Sequence, residues 1–259
     1  MTRIAQAFSQ KDKVLVAYIT AGDPSPALTP RLVAAMERGG AGLIELGVPF
    51  SDPVADGPVI MRAGDRALRA GTTVAKVLDI AREIRKTSQI PLLLFTYLNP
   101  VIRYGLDRLA NDAKEAGVDG CLLIDASVEE ADSYVAAMRA AGLDTVFLAA
   151  PTSTEKRLQL VAEYSSGFIY LVSRTGVTGE QNSISLTVQP LIDAVRAVTK
   201  LPLAVGFGVS RPEHAAELSG KAEGVVVGSA FMRLIEQHAS SPDLEKRLEE
   251  FTRSLKEAM

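Results

Sequence analysis

The chain has 259 residues, 47% of them hydrophobic, with a formal net charge of −3 and a single cysteine. That composition is enough for one large core, excludes an intrachain disulfide, and leaves no basic stripe for nucleic acid. No apolar run approaches the roughly 18–20 residues that span a membrane.

Residues 1–13 carry no apolar h-region, so they read as a short lead-in helix rather than a signal peptide, and a cytoplasmic location is expected. Eight short apolar runs follow: 14–19, 42–46, 91–97, 120–125, 145–149, 167–172, 201–207 and 223–228. Near-continuous runs of this length suit parallel strands covered on both faces. Cys121 lies inside one of them and reads as a small buried hydrophobe.

The intervening segments have helical periodicity. Leu28, Leu32, Ala35 and Met36 share one face, as do Tyr134, Val135 and Met138, and later Leu244, Leu248, Phe251 and Leu255. Ser127 with Glu130, and Ser210 with Glu213, match the capping box that starts a helix. Gly39, Gly40, Gly117 and Gly142 sit where helices should stop. Eight strand–helix units predict a single (β/α)8 TIM barrel over residues 1–259. An open doubly wound sheet is disfavoured, because the loop after the first strand lacks the G-x-G-x-x-G spacing. The loops after strands 2 and 6 are extended; the second unit carries an additional segment between 46 and 91.

The active face of such a barrel lies at the C-terminal strand ends. Glu45 is at one of them. Alternation places Leu43 and Glu45 on one face and Ile44 and Leu46 on the other. With Ile44 and Leu46 in the helix layer, Glu45 points into the barrel mouth, where apolar surroundings would raise its pKa and let it carry a proton near neutrality. A salt bridge to a neighbouring strand is the competing reading; the acidic, proline-kinked loop that follows favours the first. Within that loop and just beyond it, Asp52, Asp56 and Asp65 compete for a second carboxylate role, each equally readable as a turn or cap residue. Pro49, Pro53 and Pro58 limit the geometries the loop can present.

Tyr170 ends the sixth strand, and the polar stretch behind it, with Thr178 and Gly179, reads either as a plain βα connection or as a loop that closes over substrate; its length favours a lid or binding loop. Gly206, Gly208, Gly228 and Ser229 fall at two successive strand-to-helix junctions, where exposed amides can bind phosphate. No lysine lies at a C-terminal strand end, which argues against Schiff-base chemistry. His214 and His238 lie on outer helices, and no cluster has metal-ligand spacing. Acid–base chemistry by carboxylates on a small phosphorylated substrate remains.

Taken together, "ELGVPFSDPVADGP", "TAGDP", "YLVSRTGVTG", "GFGVSRPE" and "GSAF" resemble the tryptophan synthase alpha subunit family, over essentially the whole chain. The resemblance implies cleavage of indole-3-glycerol phosphate to indole and glyceraldehyde 3-phosphate. It implies no metal or organic cofactor in this chain, with pyridoxal phosphate in a partner beta subunit of an alpha2beta2 complex. By motif, Glu45 matches the acid/base at indole C3 and the glycerol hydroxyl, and Asp56 the carboxylate that engages the indole N–H. Tyr170 lies beside the substrate; Thr178 and Gly179 match the closing loop. Gly179, Gly208, Gly228 and Ser229 match phosphate contacts, and Tyr18, Ile60, Tyr97 and Phe207 the wall around the indole.

The chain departs from the family after the fourth strand. The usual Asp-Leu-Pro or Asp-Val-Pro is replaced by Asp125, Ala126 and Ser127, in a loop that faces the beta subunit in the family. A free-standing lyase that releases indole, and a non-catalytic phosphate-binding regulator, are the rival readings. Intact Glu45 and Asp56 argue against the regulator.

Overall fold

The structure, a computed structural model, describes residues 1–10, 13–172, 188–206 and 208–259. Its first two strands are β1 (Val14–Thr20) and β2 (Leu43–Gly47), both buried along their whole length. They are followed by β3 (Leu92–Thr96), β4 (Gly120–Leu123), β5 (Asp144–Val146), β6 (Leu148–Ala149), β7 (Ile169–Val172), β8 (Leu203–Gly206) and β9 (Gly224–Val227). Every pairing is parallel, in the order β5-β4-β3-β2-β1-β9-β8-β7-β6.

The two ends of that order, β5 and β6, are consecutive in the chain. They are the single predicted strand 145–149, divided at Phe147. Its first half pairs with β4 and its second with β7. The Tyr170 N–H donates to the Phe147 carbonyl at 3.1 Å, so pairing passes from one neighbour to the other across the break. This closes the sheet into the barrel the sequence predicts, with nine strand segments in place of eight strands. A closed sheet leaves few edges, and its apolar residues lie buried on both sides.

Twelve α-helices flank the strands among the described residues. α1 (Arg3–Gln10) precedes β1, and α2 (Thr29–Arg38) follows it. The long second unit contains two helices, α3 (Pro58–Arg69) and α4 (Val74–Arg85). α5 (Leu98–Tyr104) and α6 (Leu106–Glu115) follow β3, and α7 (Asp132–Ala140) follows β4 after a 3-10 turn over Val128–Glu130. α8 (Glu155–Tyr164), α9 (Val188–Arg196), α10 (Pro212–Ser219), α11 (Ser229–His238) and α12 (Leu244–Glu257) complete the ring. No helix among the described residues is long and apolar enough to cross a membrane.

Gly40, Gly117 and Gly142 terminate helices in the left-handed region, with φ of 103°, 81° and 69°. The two capping boxes do not form. Ser127 opens only the 3-10 turn, and its hydroxyl donates to the Glu129 carboxylate rather than taking a backbone amide. Pro212 takes the first position of α10, which makes Arg211, not Ser210, the N-cap. Thr73 and Thr154 do cap, accepting from the amides of Lys76 and Arg157 at 3.3 Å each.

α1 closes the N-terminal end of the barrel. Ile4 is fully buried. A Cβ on Gly120, Gly167 or Gly224, all at or just before strand starts, would come within about 3 Å of Ile4 or Phe8. Three carboxylates tie the same end together. Asp119 accepts from the Leu92 amide at 2.9 Å and from Arg3 and Arg85 at 2.8 and 2.7 Å. Asp144 accepts from Ser166 at 2.8 Å and from the Thr2 hydroxyl, and Glu223 accepts from the Leu203 amide at 2.9 Å. Cys121 is buried as expected, and burial pushes its thiol up to about 12.

Candidate active site

The opposite end of the barrel gathers the side chains with chemistry. Glu45 lies near the end of β2, opposite Tyr18 on β1 and Leu93 on β3, and is 1% exposed. Ile44 and Leu46 are fully buried, as their phase in the strand requires. The Glu45 carboxyl has no salt bridge among the described residues, and its Oε1 has no hydrogen-bond partner there. Burial alone pushes its pKa up to about 8.

The loop 48–57, directly behind β2, supplies a second carboxyl. Asp56 is buried, whereas Asp52 is exposed and Asp65 lies on the exposed side of α3. Tertiary burial thus separates three aspartates that the sequence leaves equivalent. The Asp56 amide donates to the Pro53 carbonyl at 3.0 Å, and its Oδ2 accepts from the Tyr97 hydroxyl at 3.0 Å. Oδ1 has no partner among the described residues. Burial raises Asp56 to about 6, opposed by the Tyr97 donor.

Tyr18 and Tyr170 complete the enclosure. Both phenols are pushed up by burial first and then by the negative charges of Glu45 and Asp56, so the four groups share one electrostatic environment. The Tyr18 ring meets Phe95 edge-on, with centroids 5.3 Å apart, and its hydroxyl lies 3.1 Å from Thr20 Oγ1. Ile60, in the first turn of α3, is 8% exposed. Tyr97 caps the start of α5 and packs on Phe50 with centroids 5.2 Å apart.

Two glycines acquire a role that sequence reasoning missed. A Cβ on Gly47 would sit 2.3 Å from Tyr18 Oη, and one on Gly206 would sit 2.5 Å from Tyr170 Oη. Each glycine is paired with the residue two positions beyond its tyrosine on the adjacent strand: Thr20 with Gly47, and Val172 with Gly206. Gly206, read above as a source of phosphate-binding amides, makes room for a phenol. The available signal was a glycine ending a buried strand.

Gly208 lies before α10 with φ of 70°, a conformation that favours glycine. Gly228 is the N-cap of α11 and Ser229 its first residue. A Cβ on Gly228 would meet Tyr18 only at an ordinary 3.6 Å. Packing therefore does not demand glycine there. Thr178, Gly179 and Phe207 lie outside the described residues.

A salt-bridge network braces the mouth from outside. Arg66 on α3 forks onto the fully buried Asp23 at 2.7 and 2.8 Å and reaches Glu236 on α11 at 2.7 Å, while Arg62 holds Glu236 in a second fork at 2.8 Å. It links the loop after β1, the helix that follows the acidic loop, and the helix capped by Gly228. Asp125, retained in the departing loop, accepts from the Leu98 amide at 2.7 Å and anchors the start of α5.

A family model described as "Tryptophan synthase alpha chain" matches residues 4–259. The chain is 70% identical to the tryptophan synthase alpha chain of Solibacter usitatus, covering 99% of this chain and 97% of the relative. It is 45% identical to that of Geobacter sulfurreducens, covering 100% and 99%. The crystal structure of tryptophan synthase subunit alpha from Legionella pneumophila superposes with a TM-score of 0.90 at 37% identity, covering 100% and 98%. A chain of the tryptophan synthase complex from Pyrococcus furiosus superposes with a TM-score of 0.87 at 38% identity, covering 95% and 99%.

Proposed function

This chain belongs to the tryptophan synthase alpha chain family, a lyase of tryptophan biosynthesis that cleaves indole-3-glycerol phosphate, and from that premise we propose that Glu45 and Asp56 divide the proton transfers. Indole is a poor leaving carbanion. Protonation at C3 makes the ring an electron sink, so the bond to the glycerol side chain can break in a retro-aldol step.

Glu45 enters as the acid and gives its proton to C3. Its carboxylate then takes the proton of the adjacent glycerol hydroxyl; that oxygen becomes the aldehyde carbonyl as the carbon–carbon bond breaks and its electrons return to the ring. Indole and glyceraldehyde 3-phosphate leave, and Glu45 is again protonated. Asp56, ionised, accepts the indole N–H and stabilises the positive charge while the ring is protonated. Tyr18, Ile60, Tyr97 and Tyr170, with Phe207 and Thr178, wall the indole. Gly208, Gly228 and Ser229 hold the phosphate on backbone amides, and the family motif assigns Gly179 to the same contact. Residues 1–259 act as one catalytic domain in the cytoplasm, with no cofactor of their own.

The observation that carries this reading is a solitary buried carboxyl, raised to about 8, that bears on the same two phenols, Tyr18 and Tyr170, as an aspartate raised only to about 6. Two carboxylates in unlike environments suit an acid and a base at one pH.

The indole is passed to a tryptophan synthase beta subunit carrying pyridoxal phosphate, in an alpha2beta2 complex. Two of the few large apolar side chains left exposed among the described residues, Val54 at 69% and Ile102 at 64%, lie in the loop after β2 and on α5, on the mouth side. Indole release from indole-3-glycerol phosphate, with and without a beta subunit, tests both parts. Glu45→Gln and Asp56→Asn are each expected to lose on the order of 10²–10⁴-fold in turnover. A rate within a few-fold of the parent removes that residue from its role. A parental rate in isolation equal to that in the complex favours a free-standing lyase.

A further inference from the structure

We propose that Tyr97 is a positioning residue of this reaction, clamping the acidic loop so that the Asp56 carboxylate meets the indole N–H. The inference rests on the reading above, in which Asp56 engages that N–H, and it gives Tyr97 a task distinct from lining the wall.

The phenol makes two bonds to adjacent residues of one loop. It accepts from the Ala55 amide at 3.1 Å and donates to Asp56 Oδ2 at 3.0 Å. An oxygen that already accepts a peptide N–H has its remaining lone pair and its proton confined in direction, so the O–H is aimed at the carboxylate. Only Oδ2 is used, which leaves Oδ1 for substrate. Burial and then the Asp56 charge push the phenol pKa upward, so Tyr97 stays protonated and acts as a donor rather than a base.

Tyr97 is itself held. It is 2% exposed, its ring packs on Phe50, and the residue after it is anchored by Asp125 from the end of β4. The strut therefore runs from β4 through the first turn of α5 to the loop after β2. The other ionisable groups around Asp56 are Glu45 on β2, Tyr18 on β1 and Tyr170 on β7; Asp125 reaches it only through Tyr97. Among these, Tyr97 alone donates a hydrogen bond to Asp56 within the described residues.

Tyr97→Phe tests the clamp, because the ring and hence the wall are kept and only the hydroxyl is lost. The assay is indole release by the full chain, with beta subunit, across pH. The expected result is a fall in kcat of about tenfold or more with KM changed less than threefold. The acid limb of kcat/KM should move to higher pH, since the bond that holds Asp56 ionised is gone. A wall residue would leave that limb in place. Parental kcat with an unmoved limb overturns the proposal, as does a change confined to KM.

Should Tyr97→Phe fail to fold by circular dichroism, 3,5-difluorotyrosine at position 97 gives the converse test. Its stronger donor should move the limb to lower pH, and an unmoved limb overturns the clamp. Asp56→Asn is run alongside. If it loses turnover while Tyr97→Phe does not, the clamp alone falls; if it keeps turnover, the base reading falls and the clamp with it.

Discussion

Glu45 stores a cost that its reaction needs. Its carboxyl is protonated in the folded state up to about pH 8 but, once unfolded, loses its proton near its ordinary value of 4.5. Between those values the folded state binds more protons than the unfolded one, so this residue's contribution to stability falls as pH rises through the window. Asp56 adds the same sign between 3.8 and about 6. Glu45→Gln, which removes the titration and keeps the shape, should therefore melt above the parent at pH 8 and close to it at pH 5, as thermal unfolding at the two pH values would show. A gap that is widest at pH 5 would contradict the burial argument. The variant is expected to exchange activity for stability. Strand phase made Glu45 legible in the sequence. Asp56 could not be told from Asp52 and Asp65 without the family resemblance, because which aspartate is buried depends on how the loop folds back. The Tyr97 bond to Asp56 spans 41 positions and leaves no local signal.

At the scale of elements, the apolar runs located every strand, because a strand covered on both faces must be apolar throughout. The helix caps were less legible. A Ser-x-x-Glu pattern specifies a cap only when an α-helical turn follows directly, and here a 3-10 turn and a proline shifted both starts. The pairing of tyrosine with a glycine on the adjacent strand also escaped notice, since it arises from register. It predicts that Gly206→Ala pushes the Tyr170 phenol out of place. Overpacking of this kind costs about 1–3 kcal/mol. Urea unfolding should show that loss, and turnover should fall with it because Tyr170 is displaced beside the substrate. A variant with parental stability and turnover would mean that the phenol has somewhere else to go.

For the whole molecule, closure depends on contacts between distant parts of the chain. β5 and β6 join the two sides of the sheet, and α1 lies across the starts of several strands. The sequence predicted a lead-in helix but not its task, because nothing local says that Gly120, Gly167 and Gly224 are small to admit Ile4 and Phe8. Ile4→Ala should cost about 2–5 kcal/mol, as for other large-to-small changes at fully buried sites. Denaturant titration checks it, and turnover per folded molecule should be unaffected, since the substitution lies at the far end from Glu45. A loss below 1 kcal/mol would mean that α1 rests on the barrel without bracing it.

That stoppered floor makes the barrel a cul-de-sac. Among the described residues the floor offers a freed indole no way out past Ile4 and Phe8, which leaves the rim. An uncharged aromatic of that size is readily lost to bulk water and lipid. A second protein seated on Val54 and Ile102 would stand beside that rim, and its position would bear on whether the indole escapes or is handed on.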